Sequence, residues 1–319
     1  MMILTNQQLR TTIRGAAEIT EQNGRLIPFR FGRFVRDEIY PSGHYHNECY
    51  QTAGVLSEFV TDSKTLAFQT NHSNFDVLVD GALYFRAMRK NGVGDFSLTL
   101  PAEKKRITIC YPYTAAGVLW SVALDDGACF EPAPKREHRI LFLGDSITHG
   151  FSARFSSMTY VSRLTEALYA DVINQGIGGE KFNLFAIDEQ LPFTPDLISV
   201  AYGTNDWASA IGSHSRLAGA ATGYFARLRD LYPTTPIVCV LPLWRGDSNR
   251  ETGVGSFEEA RRLIRVAAEQ AGAHVIDGME LVPHVPGVFN DKYLHPDDLG
   301  FAFYAENLLP HFKRLLENK

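Results

Sequence analysis

Arg139-Ile-Leu-Phe-Leu-Gly-Asp-Ser-Ile-Thr-His-Gly150 decides how the chain is read. The first five residues form an apolar run short enough for one buried strand. Gly144-Asp145-Ser146 then breaks it. A serine at the exit of a buried strand exposes its hydroxyl, and its own backbone N–H points into the same space. Working outward, further apolar runs occupy 171–174, 196–202, 237–241 and 274–276. Helical patterns fall between them near 158–169, 215–231 and 256–271, and one more follows His295. In the third, Ser256 or Gly255 caps the helix and Glu258 and Glu259 suit its positive end. Leu263, Val266 and Ala267 supply an apolar face. Strands alternating with helices predict a parallel sheet covered on both faces. Ligands of such sheets bind at the carboxyl ends of the strands.

Three more stretches place polar groups at that edge. Asn174-Gln-Gly-Ile-Gly-Gly179 holds three glycines in four positions, which lets the backbone approach a ligand without Cβ interference. Its N–H at Gly179, with Gly178 competing, suits an oxyanion. No phosphate-loop pattern is present. Tyr202-Gly-Thr-Asn-Asp-Trp207 places Asn205 after the next strand. The Asn205 amide donates where an aspartate would not. Asn290-Asp-Lys-Tyr-Leu-His-Pro296 keeps His295 on a loop, because Pro296 stops it from entering the helix. A histidine accepts a serine proton near neutral pH and returns it to a leaving group. Gly246-Asp247-Ser248 repeats the serine triplet in a loop, so the triplet alone is not diagnostic. His149 lies close to Ser146 in sequence, within a turn that aims it elsewhere. The G-x-S-x-G elbow is absent at every serine.

The first part of the 319-residue chain reads differently. Period-2 stretches at 75–80, 95–100 and 106–111, with hairpin signals at Asp80-Gly81 and Asn91-Gly92, predict a β-sandwich of jelly-roll type. Glu131-Pro-Ala-Pro-Lys-Arg-Glu-His138 reads as a solvated linker. The expected division is a β-sandwich over 1–134 and a catalytic domain over 135–319. His44-Tyr-His46 has a metal-binding spacing, but no acid stands where a cupin needs one, so it reads as a polar surface turn and no metal is expected.

Hydrophobic residues make up 45% and charged residues 21%, which predicts a packed core. A net charge of −5 gives no reason to expect nucleic acid. No apolar run spans a bilayer, so no membrane partner is expected. A basic region followed by an apolar one is missing at the start, which predicts a cytoplasmic protein. Cys49, Cys110, Cys129 and Cys239 lack paired spacing and read as reduced thiols.

From about 139 onward the chain resembles the SGNH hydrolases, also called the GDSL esterase/lipase family. Ser146, Gly179, Asn205 and His295 stand where its four blocks place serine, glycine, asparagine and histidine. The resemblance implies a flavodoxin-like three-layer α/β/α fold, ester hydrolysis without a cofactor and a shallow pocket. Ser146, Gly179 and Asn205 would form the oxyanion hole. The family places an aspartate three residues before its histidine; here Lys292 stands there, and Asp291 is four before. Either a one-residue bulge aims Asp291 at the imidazole, or a backbone carbonyl orients His295. A β-rich first half before such a domain resembles two-domain carbohydrate esterases. The expected function is a serine esterase for small acyl esters, O-acetyl on a carbohydrate, with the substrate, a small-molecule or glycan ester, as the partner. Trp207 and Trp244 are candidates for stacking on a sugar. Rival readings are an acyltransferase, a lysophospholipase-like esterase and a non-catalytic glycan-binding protein.

Overall fold

A computed structural model describes residues 1–88 and 94–317. The expected turn at Asn91-Gly92 lies outside the described residues. In the second half, His138–Gly144, Ala170–Gly176, Leu197–Ala201, Ile237–Val240 and His274–Ile276 form a sheet whose pairings are all parallel. Numbered along the chain, its spatial order is 2-1-3-4-5, the flavodoxin-like order. His138–Gly144 therefore lies beside both Ala170–Gly176 and Leu197–Ala201. The serine, glycine and asparagine loops leave these three neighbouring strands at one edge.

Alternation along the central strand separates two cores. Ile140 and Phe142 pack with the face covered by helices Tyr160–Ala167 and Asp298–Glu317. Leu141 and Leu143 pack with the opposite face, covered by His214–Leu231 and Phe257–Gln270. Ser256 caps the last of these by accepting the Glu259 N–H. Val266 does not join its apolar face: it is exposed, and Ala260, Leu263, Ile264, Ala267 and Ala268 are buried instead. At 3.6 residues per turn, Val266 falls outside the stripe that Ala260, Leu263, Ile264 and Ala267 define.

Among the described residues the first half holds two larger antiparallel sheets and a two-stranded one, Glu18–Gln22 with Arg25–Phe29. One of the larger sheets is ordered Met2–Ile3, Leu119–Leu124, Thr65–Thr70, Gly94–Thr99. The other contains Leu56–Thr61, Lys105–Cys110, Phe75–Val79 and Ala82–Ala87. Phe59, Val77 and Ile107 of one and Leu66, Phe68 and Val122 of the other share a single apolar core. Asp80 and Gly81 make the two-residue hairpin between Phe75–Val79 and Ala82–Ala87, both at positive φ (49° and 83°).

The linker is not a solvated tether. Glu131–Pro132 pairs with Leu56–Thr61, and Arg136 is buried. Its guanidinium reaches Glu58 of the first half at 2.6 Å and Glu166 of the second at 3.0 Å. Two acids on opposite sides of the junction draw the charge inward. His44 and His46 do not lie on a surface turn. They belong to the short helix Gly43–Cys49, which packs against the glycine loop of the second half. No helix among the described residues is long and apolar enough to cross a membrane.

Candidate active site

Ser146 opens a one-turn helix, Ser146–His149, directly after the central strand. Asp145 caps it by accepting the Ile147 N–H at 2.9 Å. The Ser146 N–H is among those at a helix start that have no partner within the helix. Ser146 is buried except for a small opening, and its Oγ lies 2.8 Å from His295 Nε2. The other ring nitrogen, Nδ1, lies 2.6 Å from Asp291 Oδ2. The structure thus joins Ser146, His295 and Asp291 in one hydrogen-bonded line.

The four-residue offset of Asp291 is absorbed by Lys292, whose φ is +70°. That left-handed residue is the bulge that turns the loop back. Asp291 Oδ1 then accepts the backbone N–H groups of Tyr293, Leu294 and His295 at 3.1, 2.8 and 3.0 Å. Burial works against the charge on Asp291. The Leu294 N–H, the His295 ring and the Tyr293 and His295 N–H groups outweigh it and hold its pKa below the ordinary carboxylate value.

Gly179 stands at φ +79°, which a side chain rarely adopts. The competition between Gly178 and Gly179 has a structural answer: the Gly178 N–H is already bonded to the Glu48 carboxylate. The Gly179 N–H has no acceptor among the described residues. Asn205, in the short helix Thr204–Ala208, donates one amide N–H to the Glu180 carbonyl at 3.0 Å, which leaves its second N–H for a ligand.

Other candidates are placed differently. His149 is fully buried, with Nε2 2.7 Å from the Tyr113 carbonyl, and burial pushes its pKa down. Trp207 is a correction: it is 0% exposed, packs edge-on to Phe257 and donates its indole N–H to Gly255. It has no face for a sugar. A signal was available, since residues i and i+2 of a helix point apart; with Asn205 at the site, Trp207 turns to the core. Trp244 is half-buried, with its ring stacked on His284 at 5.8 Å between centroids. Ser248 sits in a turn, its N–H bonded to the Arg245 carbonyl. The sequence reading weighed His44-Tyr-His46 only as a metal motif and missed its neighbourhood: His44, Tyr45 and Glu48 reach the glycine loop from the first half. Among the described residues no cluster of His, Cys, Asp and Glu is arranged to hold a metal ion.

The fold and this site define a hydrolytic enzyme of the α/β class. The chain belongs to the GDSL-like lipase/acylhydrolase family, whose model matches residues 142–303. No curated protein sequence matches it. Among solved structures it is similar to the salicylyl-acyltransferase SsfX3 from a tetracycline biosynthetic pathway. Identity there is 24%, TM-score 0.80, and 95% of this chain and 94% of that chain are covered. It is also similar to a structure from Bacteroides ovatus assigned as a GDSL-like lipase (18%, TM-score 0.81, 99% and 98% covered). A third is the acetyl xylan esterase Est2A from Butyrivibrio proteoclasticus (16%, TM-score 0.66, 96% of both chains covered). At these identities the likeness is one of fold.

Proposed function

We propose that the protein is a serine esterase that removes small acyl groups, O-acetyl on a carbohydrate, through an acyl-enzyme on Ser146. The observation that carries the reading is the line from Ser146 Oγ to His295 Nε2 and from His295 Nδ1 to Asp291. Ser146 Oγ attacks the ester carbonyl as His295 Nε2 takes its proton. The carbonyl oxygen becomes an oxyanion, which the N–H groups of Ser146 and Gly179 and the free amide N–H of Asn205 stabilise. The C–O bond to the alcohol breaks, and His295 returns the proton to that oxygen. Water then repeats the cycle against the acyl-enzyme and releases the acid. Asp291 fixes the imidazole tautomer and stabilises the imidazolium.

We read the two larger antiparallel sheets as a β-sandwich of jelly-roll type forming an accessory domain over 1–134, with the catalytic domain over 135–319. Their shared apolar core supports this reading. Trp244, at the edge of the His295 loop, is the aromatic face proposed for the sugar. The substrate is a small-molecule or glycan ester. The proposed compartment is the cytoplasm. A second reading replaces water by a hydroxyl acceptor on the same acyl-enzyme. It is kept because the chain shares its length and fold with a salicylyl-acyltransferase.

The deciding experiment compares acetate release from acetylated glycans with turnover of simple acyl esters, with and without alcohol acceptors. Preferred acetate release supports the esterase. Transfer to the acceptor in excess of hydrolysis supports the second reading. Absence of both, with no fluorophosphonate label on Ser146, overturns catalysis altogether.

A further inference from the structure

The glycine loop poses a physical problem. Gly176-Ile-Gly-Gly179 has little side chain to restrain it, and glycine loses more conformational freedom on ordering than any other residue. An oxyanion donor works only when its direction is fixed before the reaction. The second half ties the ends of the loop, with the Ile177 N–H on the Gly144 carbonyl at 3.0 Å and the Glu180 N–H on the Ile177 carbonyl at 3.2 Å, but the restraint on Gly178 and Gly179 comes from the other half of the chain. Helix Gly43–Cys49 lays three side chains on the loop within little more than one turn.

Each side chain holds a different peptide unit. Glu48 accepts the Gly178 N–H, which fixes the unit joining Ile177 and Gly178. His44 Nε2 lies 2.9 Å from the Gly178 carbonyl oxygen, which fixes the unit joining Gly178 and Gly179. Tyr45 Oη donates to the Gly179 carbonyl at 3.1 Å, which fixes the unit joining Gly179 and Glu180. The middle unit is the one that matters. In a planar trans peptide the C=O and the following N–H point in opposite directions. Holding the Gly178 oxygen toward His44 therefore sets where the Gly179 N–H points.

The helix residues are themselves held. Glu48 is buried, with its oxygens 3.4 Å from His149 Nδ1 and 3.3 Å from His44 Nε2. Burial disfavours its charge, but His149, the Gly178 N–H and His44 outweigh this and keep its pKa below the ordinary value. It is a carboxylate aimed at the loop.

We infer that His44, Tyr45 and Glu48 are positioning residues that lock the oxyanion loop, so that the first half of the chain completes the catalytic site of the second. The inference rests on the esterase reading for its kinetic consequence, but not for its structural one. Two readouts keep the two apart. The first is amide hydrogen exchange across 177–180 in the intact chain, which needs no activity. Glu48→Ala should expose the Gly178 N–H and raise exchange there at least tenfold, and Glu48→Gln, which retains an acceptor oxygen, should restore most of the protection. The second is ester turnover. Glu48→Ala and His44→Ala should lower kcat about ten- to a hundredfold with KM within about twofold, a part of the 10²–10³ that loss of a whole donor brings. Tyr45→Phe removes one hydroxyl without changing packing, so it decides the question should Glu48→Ala fail to fold; a three- to tenfold drop in kcat is expected. Unchanged exchange at 177–180 in a folded Glu48→Ala protein overturns the lock. So does a kcat within twofold of the unaltered enzyme in both Tyr45→Phe and His44→Ala. An unaltered protein with no ester turnover overturns the esterase reading alone, and the exchange result then still decides whether the helix holds the loop.

Discussion

Ser146 differs from Ser248 only in surroundings, and that difference makes a direct test. Ser146 has His295 Nε2 at 2.8 Å, whereas Ser248 sits in a turn. Ser146→Ala should abolish ester turnover and leave the melting temperature unchanged; Ser248→Ala should change neither. Retained turnover in Ser146→Ala would remove the nucleophile assignment. Asp291 invites a finer test, because its two oxygens do different jobs. Oδ1 ties three backbone N–H groups and Oδ2 faces the imidazole. Asp291→Asn keeps an acceptor for the loop but loses the charge and the tautomer control. It should lower kcat by orders of magnitude; the equivalent change in a serine protease costs about 10⁴. A loss of tenfold or less would show that loop backbone alone orients His295. Turnover should also be insensitive to EDTA, since the proposed steps use only protein groups; a loss restored by zinc would contradict that. At this scale the sequence singled out Ser146 and His295 by residue type, and the structure places them 2.8 Å apart although they lie far apart in the chain. The sequence was ambiguous at Asp291, because the offset is resolved by a positive φ at Lys292, and a lysine in that conformation leaves no mark in the sequence.

Elements were legible to the extent that burial dictates their composition. The central strands His138–Gly144, Leu197–Ala201 and Ile237–Val240 are buried on both faces, so they read as near-continuous apolar runs, whereas Ala170–Gly176 carries Asp171, Asn174 and Gln175 and the edge strand His274–Ile276 starts on an exposed histidine. Helix Gly43–Cys49 has no such pattern. His44-Tyr-His-Asn-Glu48 shows no apolar period, and a helix this short is marginal alone; its contacts with the glycine loop hold it. The one-turn helix Ser146–His149 makes an electrostatic prediction of its own. Its cap, Asp145, is fully buried, and its pKa is pushed up to about 7. Burial is the main cause; the Ile147 N–H opposes it, Asp206 reinforces it and Arg245 opposes it. Between about pH 4 and 7 the folded protein therefore holds a proton that the unfolded chain has released. The group's contribution to stability must fall as pH rises through that window. Asp145→Asn keeps a good cap without the titration. Relative to the unaltered protein, its stability should improve steadily from pH 4 to 7 and level off above, by up to a few kcal/mol at about 1.4 per pKa unit. Denaturant midpoints at pH 4.5 and 7.5 measure this. An equal offset at both would refute the shifted carboxyl.

At the scale of the molecule, the two halves are joined through buried charge. Glu58, fully buried on the first half's sheet, receives Arg136 at 2.6 Å, Arg106 at 2.7 Å and Arg14 at 3.1 Å. Arg106 and Arg136 also bind Glu166, and Arg14 binds Asp171, both in the second half. Three guanidiniums thus span the junction on one carboxylate. Burial alone would raise the pKa of Glu58, but Arg136 and then Arg106 outweigh it and hold it below the ordinary value. A lowered carboxylate stabilises the fold above its unfolded pKa, and that contribution is lost as pH falls through the folded value. Removing one partner of such a network leaves buried charge uncompensated, which typically costs about 3–5 kcal/mol. Glu58→Gln, nearly the same shape without the charge, should lose about that much in urea unfolding at pH 7. The gap should narrow as pH falls below the range where Glu58 ionises. Because the network ties both halves, calorimetry of the unaltered protein should show one transition, and the substitution should lower or split it. Two separate transitions in the unaltered protein would mean that the halves fold independently, and a loss below about 1 kcal/mol in Glu58→Gln would mean that the buried ion network adds little net stability.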